Sequence, residues 1–515
     1  MLITFAVFCP VLWFDFVDFD DPVYVLQNPL VQGGVTLETI MLAFASPYEV
    51  NWIPLTWISH MLDVQLFGMN PMGHHAVSLL LHTASTSVLF LFLRRATGAP
   101  LRSAAVAFLF ALHPLHVESV AWVSERKDVL SAFFGILTMH AYLRYTESRS
   151  PVRYMGVLFF FILGLMAKPM LIMLPVVLLF MDWWPFERLQ RVSVPPAPLR
   201  LFIEKIPFIV LSACSAIITL WAQSSDGNLT QTYTLSARAG RAFISYLIYL
   251  WMTVWPADLA VLYPFEKYPP RMYIMLGALA VLVALSVVTF LMRNRYPYLL
   301  AGWGWYVTML VPVIGFVQIG QHSVADRYTY LPLIGIFIIA VWGACDVSKC
   351  LNLDNRVLSA LTIVILLVLA SLTSMQLQHW RNTLTLFSRA VAVTAGNWVA
   401  HYNLGLSLLN GGKVDEAITH FTASIQAKPS YALAFKGLGV ARHKKGEYRL
   451  AIEAYKSALM FGPHMLESRL GIGLVHLDEN NVPLAMEEYN MLLDAGSPYA
   501  EELLQTINSR LAGNK

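Results

Sequence analysis

The sequence predicts an all-α protein, a polytopic helical membrane bundle followed by a short soluble solenoid of helical repeats. Three observations carry this. Of the 515 residues, 57% are hydrophobic and 13% are charged, about half the charge of a soluble domain. Apolar stretches of roughly the length that crosses a bilayer recur as far as residue 377. From about residue 398 the chain turns polar and periodic, and Pro429 and Pro463 stand 34 residues apart, the tetratricopeptide period.

Candidate spans are 1–15, 75–95, 103–121, 129–146, 153–168, 169–185, 201–222, 272–292, 297–317, 328–346 and 357–377, eleven in all. Residues 1–15 read as a retained, rather short first span, because no basic n-region or small-residue cleavage site accompanies them. A twelfth apolar stretch, 241–256, is decided by the positive-inside rule. Leaving it out keeps Arg94, Arg95, Arg102, Arg144, Arg149, Arg153, Arg188, Arg191, Arg200, Arg293, Arg295, Lys349 and Arg356 on one side. It therefore reads as a re-entrant or interfacial helix, with Trp251 and Trp255 at the membrane surface. The N-terminus is then cytosolic and the C-terminus lies in a periplasm or ER-type lumen. The outer loops are about 16–74, 122–128, 223–271 and 318–327. The first reads as short amphipathic helices at the interface.

The domain plan follows: 1–380 in the membrane, a linker helix at 381–397, repeats at 398–431, 432–465 and 466–498, and a capping helix to the end. At matching phases stand Leu404-Gly405, Leu438-Gly439 and Ile472-Gly473, then Ala417, Ala451 and Ala485, then Phe421, Tyr455 and Tyr489. Each small residue lets two helices approach and each aromatic fills the space between them. A terminal repeat needs a polar outer face, which the capping helix supplies. Such an array binds a peptide or protein and does not catalyse.

A net charge of +3 without a long basic run excludes nucleic-acid binding. Cys9, Cys214, Cys345 and Cys350 lack metal-ligand spacing with histidine and read as unpaired structural residues.

Four strings can carry chemistry. Span one runs into Asp15, Asp18, Asp20 and Asp21. These are either a solvated loop that ends the helix, or a general base or metal site at the outer face. The turn HPLHVESVAWVSERKD holds His113, His116, Glu118, Glu125, Arg126, Lys127 and Asp128. Arg126 and Lys127 oppose the topology bias and suit phosphate binding, although Glu125 and Asp128 could simply neutralise them. Arg327, near His322 and Asp326, also opposes the bias, as does Lys168 between spans five and six. His74, His75 and His82 recur along one helix, as substrate contacts or as hydrogen-bonded core.

With FVDFDDPVY, NWIPLTWISHMLD, GHHAVSLLLH, HPLHVESVAWVSERKD, LMAKPM, WPADLAVLYP and HSVADRYTYLPLIG in place, the chain resembles the GT-C glycosyltransferases. It is most similar to the transmembrane and tetratricopeptide-repeat O-mannosyltransferases and their bacterial relatives. The resemblance implies inverting transfer of a sugar from a polyprenyl-phosphate donor to a hydroxyl, on a protein Ser or Thr, at the outer face. It implies Asp20 as base with Asp21 and Glu118 as further acids. Arg126, Lys127, Arg327 and Lys168 would hold the lipid phosphate. Tyr24, His74, His75, His113, His116 and His322 would line the substrate site. Related enzymes carry Asp-Glu where this chain has Asp20-Asp21. No cofactor is required and no metal ligand is assigned, although the acids leave room for a divalent cation. The repeats would recruit the acceptor, in a bacterial inner membrane with the repeats periplasmic. The competing readings are a membrane-anchored scaffold for an envelope or secretion complex, which needs no clustered acids and cations, and a transporter. No internal repeat of spans and no run of mid-depth charges supports the latter.

Overall fold

A computed structural model describes the chain except for residues 46, 49–50, 189–196, 226–233, 265–269, 317–322 and 514–515. Two compact units divide it, Met1–Asn382 and Thr383–Lys515. Helix is the only regular structure among the described residues, apart from isolated bridges such as the antiparallel one between Tyr48 and Asn51.

In the first unit, proline starts helix after helix. Pro54, Pro71, Pro100, Pro151 and Pro297 each sit at the first helical position, where the missing N–H costs nothing and φ is already helical. Asn70 caps the helix Pro71–Thr97 by accepting from the Met72 amide at 3.1 Å, and Gly98 ends it in the left-handed conformation. Among the described residues, five helices are long and apolar enough to cross a membrane: Pro71–Thr97, Leu199–Ser224, Met272–Leu291, Leu333–Cys350 and Asn355–His379. A sixth crossing arises if the bent pair Pro100–Leu112 and Pro114–Ala121 counts as one. The helices Pro297–Leu310 and Leu333–Cys350 meet backbone to backbone at Gly302 and Gly335, where a Cβ on either would strike the other's carbonyl. Small residues permit this approach, which supplies packing where lipid supplies no hydrophobic drive.

Three local expectations need correction. The stretch 103–121 is not one straight span: it turns by 55° at His113 and Pro114. Proline cannot continue the hydrogen-bond ladder there, and His113 accepts from the Leu115 amide at 3.3 Å to start the next turn. Residues 126–128 are not loop but the first turn of the helix Arg126–Glu147. The helix expected at 241–256 has other bounds: it starts earlier, at Leu235, and ends at Val254, leaving Trp255 and Pro256 outside it.

The first loop is a folded cap. Its short helices, Pro29–Gln32, Leu37–Ala45 and Pro54–Phe67, gather Tyr24, Val25, Val31, Trp57 and Met61 around Val123. Thr56 Oγ1 donates to the Ala167 carbonyl at 2.9 Å and pins this cap to the end of the helix Pro151–Ala167.

The second unit begins with the helix Thr383–Val393 and continues as antiparallel pairs ending in Tyr499–Gly513. Ala417, Ala451 and Ala485 are fully buried. Phe421 fills the space left by Gly405 and Gly437, and Tyr455 the space left by Gly439 and Gly471. A Cβ on Gly439 would come within 2.6 Å of the Tyr455 ring. Gly439→Val is therefore expected to destabilise this unit by about 1–3 kcal/mol through overpacking. Urea unfolding followed by tryptophan fluorescence checks it, and an unchanged midpoint would contradict this packing.

Candidate active site

The acidic loop and the turn at 118–128 meet. Asp21 is buried and accepts from the Val17 amide at 2.9 Å, the Ser124 amide at 2.9 Å and the Ser124 hydroxyl. Burial pushes its carboxyl up to about 6, and those three donors hold it from rising further. Asp21 thus fastens the loop to the turn Val123–Glu125. The preceding residue faces the other way. Asp20 is partly exposed, and its carboxylate makes no hydrogen bond among the described residues. Burial raises its pKa, while the positive charges of Lys127 and Arg327 pull it back.

Around Asp20 the cations converge on one carboxylate that the sequence presented only as a counter-ion. Glu125 Oε1 lies 3.1 Å from Lys127 Nζ and 3.2 Å from Arg327 Nε, and its Oε2 lies 3.2 Å from Lys168 Nζ. Lys168 also pairs with Asp128 at 2.6 Å. Arg327 pairs with Glu118 through its guanidinium and donates its backbone N–H to Glu118 Oε2 at 2.9 Å. Three cations from three separate segments are thereby aimed at one point. The buried carboxylates hold them there without side-chain freedom to lose on binding an anion.

Aromatic faces complete the surroundings. Lys127 Nζ lies 4.3 Å from the centre of the Tyr24 ring, and Asn51 donates to the Tyr24 hydroxyl at 3.1 Å. Arg327 lies over Trp122 at 5.5 Å, and Phe19 stacks on the same indole. Beside them Asp326 is buried and accepts from the Tyr263 hydroxyl at 2.8 Å.

Arg126 does not join this group. Its guanidinium is fully buried and donates to Ser78 Oγ and Ser59 Oγ, both at 2.9 Å, and to the His74 carbonyl at 2.5 Å, with Asp63 Oδ2 at 2.8 Å. Each of its three nitrogens has a partner, so this cation clamps the cap to the helix Pro71–Thr97. Consecutive helical residues point about 100° apart, so Arg126 and Lys127 cannot share a target.

The histidines divide in the same way. His74 bonds the Gly68 carbonyl at 3.1 Å and faces Asp63. His75 is buried with its ring against Phe14. His113 reaches the Thr253 carbonyl at 3.0 Å and His116 the Phe110 carbonyl at 2.6 Å. All four are thus packed behind the acid–cation group, and His322 lies outside the described residues. Among the described residues, the one trio with metal-ligand spacing is His60, Asp63 and His74, not the acids of the Glu125 cluster.

Residues 374–432, 402–465 and 436–500 match the tetratricopeptide repeat family model. The chain is 25% identical over 488 residues to "Protein O-mannosyl-transferase TMTC1" of Homo sapiens, covering 83% of this chain and 54% of that protein. The mouse protein of the same name is 23% identical, covering 82% and 57%. A third relative, "Protein O-mannosyl-transferase F38B6.6" of Caenorhabditis elegans, is 23% identical, covering 81% and 60%. The chain resembles the transmembrane and tetratricopeptide-repeat protein O-mannosyl-transferases. It spans little more than half the length of these relatives. The likeness nonetheless runs over four-fifths of the present chain. It agrees with a helical membrane unit followed by tetratricopeptide repeats.

Proposed function

We propose that the protein is a membrane glycosyltransferase that moves a sugar from a polyprenyl-phosphate donor to a Ser or Thr hydroxyl of a protein acceptor. Mannose is the sugar carried in the names of its relatives. The observation that carries this reading is the Asp20 carboxylate, free of hydrogen bonds among the described residues and set against Lys127 and Arg327. A scaffold needs no such arrangement.

Asp20 takes the proton of the attacking hydroxyl as its oxygen closes on the anomeric carbon. The bond from that carbon to the donor phosphate breaks on the opposite side, so a single displacement inverts the centre. Negative charge grows on the leaving phosphate, and Arg327, Lys127 and Lys168 are already positioned to stabilise it. Asp21 and Glu118 position, the one Asp20 and the other Arg327. Arg126 is left out of the phosphate site because its donors are consumed elsewhere. In this reading the chain crosses eleven times, with the N-terminus cytosolic and the repeats outside, recruiting the acceptor.

Membranes containing the protein should transfer label from polyprenyl-phosphate [³H]mannose to protein, in a linkage released by β-elimination. Label that stays in lipid would sink the proposal. Activity should also report the state of Asp20. The base works as carboxylate, so kcat/KM is retained above its pKa and lost as pH falls through it. Burial raises that pKa, and Asp21 takes up its own proton near about 6, weakening its hold on Ser124. A pH–rate profile should therefore have its acid limb at a pH above the ordinary carboxylate value. An acid limb at the ordinary carboxylate value would contradict the assignment.

A further inference from the structure

We infer that His60, Asp63 and His74 form a buried site for a first-row divalent transition metal of the zinc class, behind the acid–cation group and separate from it. Two imidazoles and one carboxylate are a borderline-hard donor set of the kind zinc takes. One ligand atom from each side chain lies within 4.8 Å of the other two. Tetrahedral zinc holds its ligand atoms about 3.3 Å apart, and His74 Nδ1 already stands 3.4 Å from Asp63 Oδ2.

Two further observations point to a ligand. His60 is fully buried and neither ring nitrogen has a hydrogen-bond partner. An imidazole left so in a packed interior is costly, and its ring lies 6.3 Å from that of His74. His74 Nε2 faces the Gly68 carbonyl at 3.1 Å. A carbonyl oxygen only accepts, so Nε2 carries the proton. In the neutral ring that leaves the Nδ1 lone pair aimed at Asp63, while the Nε2–H donation to the Gly68 carbonyl is the outer hydrogen bond that orients metal-binding histidines.

Arg126 is the competitor. It sits 2.8 Å from the same Asp63 oxygen and already gives that carboxylate a counter-charge. Metal and guanidinium are therefore alternative partners for Asp63, and the metal is held less tightly than in a closed structural zinc site. The helix Pro54–Phe67 supplies His60 and Asp63 at i and i+3, on one face. The first turn of Pro71–Thr97 supplies His74, so metal would cross-link the cap to the membrane helices.

The test uses the full chain, purified in detergent with any affinity tag removed, equilibrated with Zn²⁺ and desalted. Elemental analysis should find one equivalent, lost in His60→Gln and kept in His401→Gln. The latter breaks another close histidine pair, His401–His420, in the repeat unit. Thermal unfolding adds a readout independent of transferase activity. Zn²⁺ should raise the midpoint of Arg126→Gln more than that of the parent, because the metal replaces the missing charge beside Asp63. Zinc retained equally by His60→Gln, no zinc retained by the parent, or no zinc-dependent shift in Arg126→Gln would each overturn the site. The first of these assigns any bound metal elsewhere, and the second leaves the His60 nitrogens to buried water.

Discussion

Asp20→Asn is expected to lower transfer by about 100- to 10,000-fold, the usual contribution of a positioned general base, with the protein still folded. The amide is the same size as the carboxylate but cannot take a proton. No hydrogen bond is lost, since the Asp20 carboxylate makes none among the described residues. The measurement is label transfer at saturating donor together with a thermal midpoint. Asp21→Asn gives the contrasting result. Asp21 accepts from Val17 and twice from Ser124, so its loss should lower the midpoint as well as the rate. Equal activity in Asp20→Asn and the parent would end the base assignment.

Arg126→Met is expected to destabilise the membrane unit by about 3–5 kcal/mol, the cost of leaving a buried carboxylate without its partner. Methionine matches the length of the arginine stem but offers Asp63 no charge, and it abandons Ser59, Ser78 and the His74 carbonyl. The double variant Arg126→Met with Asp63→Leu should recover much of the loss, because removing both charges removes the uncompensated one. Lys127→Met, one residue on, should behave differently. Lys127 lies against Tyr24 and Glu125, and its loss should raise the KM for the donor with a smaller change in midpoint. The two variants can be compared by detergent-solubilised thermal unfolding and donor titration. Similar behaviour would mean the two cations share a role.

Some of this was legible in the chain itself, and the division has a physical basis. Hydropathy and a 34-residue period are local or repeating properties, so helix, membrane and repeats could be read directly. So could the acids after span one and the cations that break the positive-inside bias, because both are anomalies against a local background. Partnership was not legible. Glu118 and Arg327 are 209 positions apart, and Asp21 and Ser124 are 103 apart. Nothing in a single sequence marks such pairs.

The adjacent residues make the point most clearly. Asp20 and Asp21 look alike on paper, as do Arg126 and Lys127. The fold gives the members of each pair different partners: Lys127 meets Glu125 and the Ser124 carbonyl while Arg126 meets Ser59, Ser78 and Asp63, and Asp21 is held by Val17 and Ser124 while Asp20 is not. Glu125, written as a mere counter-ion, became the point on which three cations meet. Composition determined which charges this protein would have to bury. The packing of the first loop against the turn at 118–128 decided which partner each charge meets, because a side chain's partner depends on its direction and not on its neighbours in sequence.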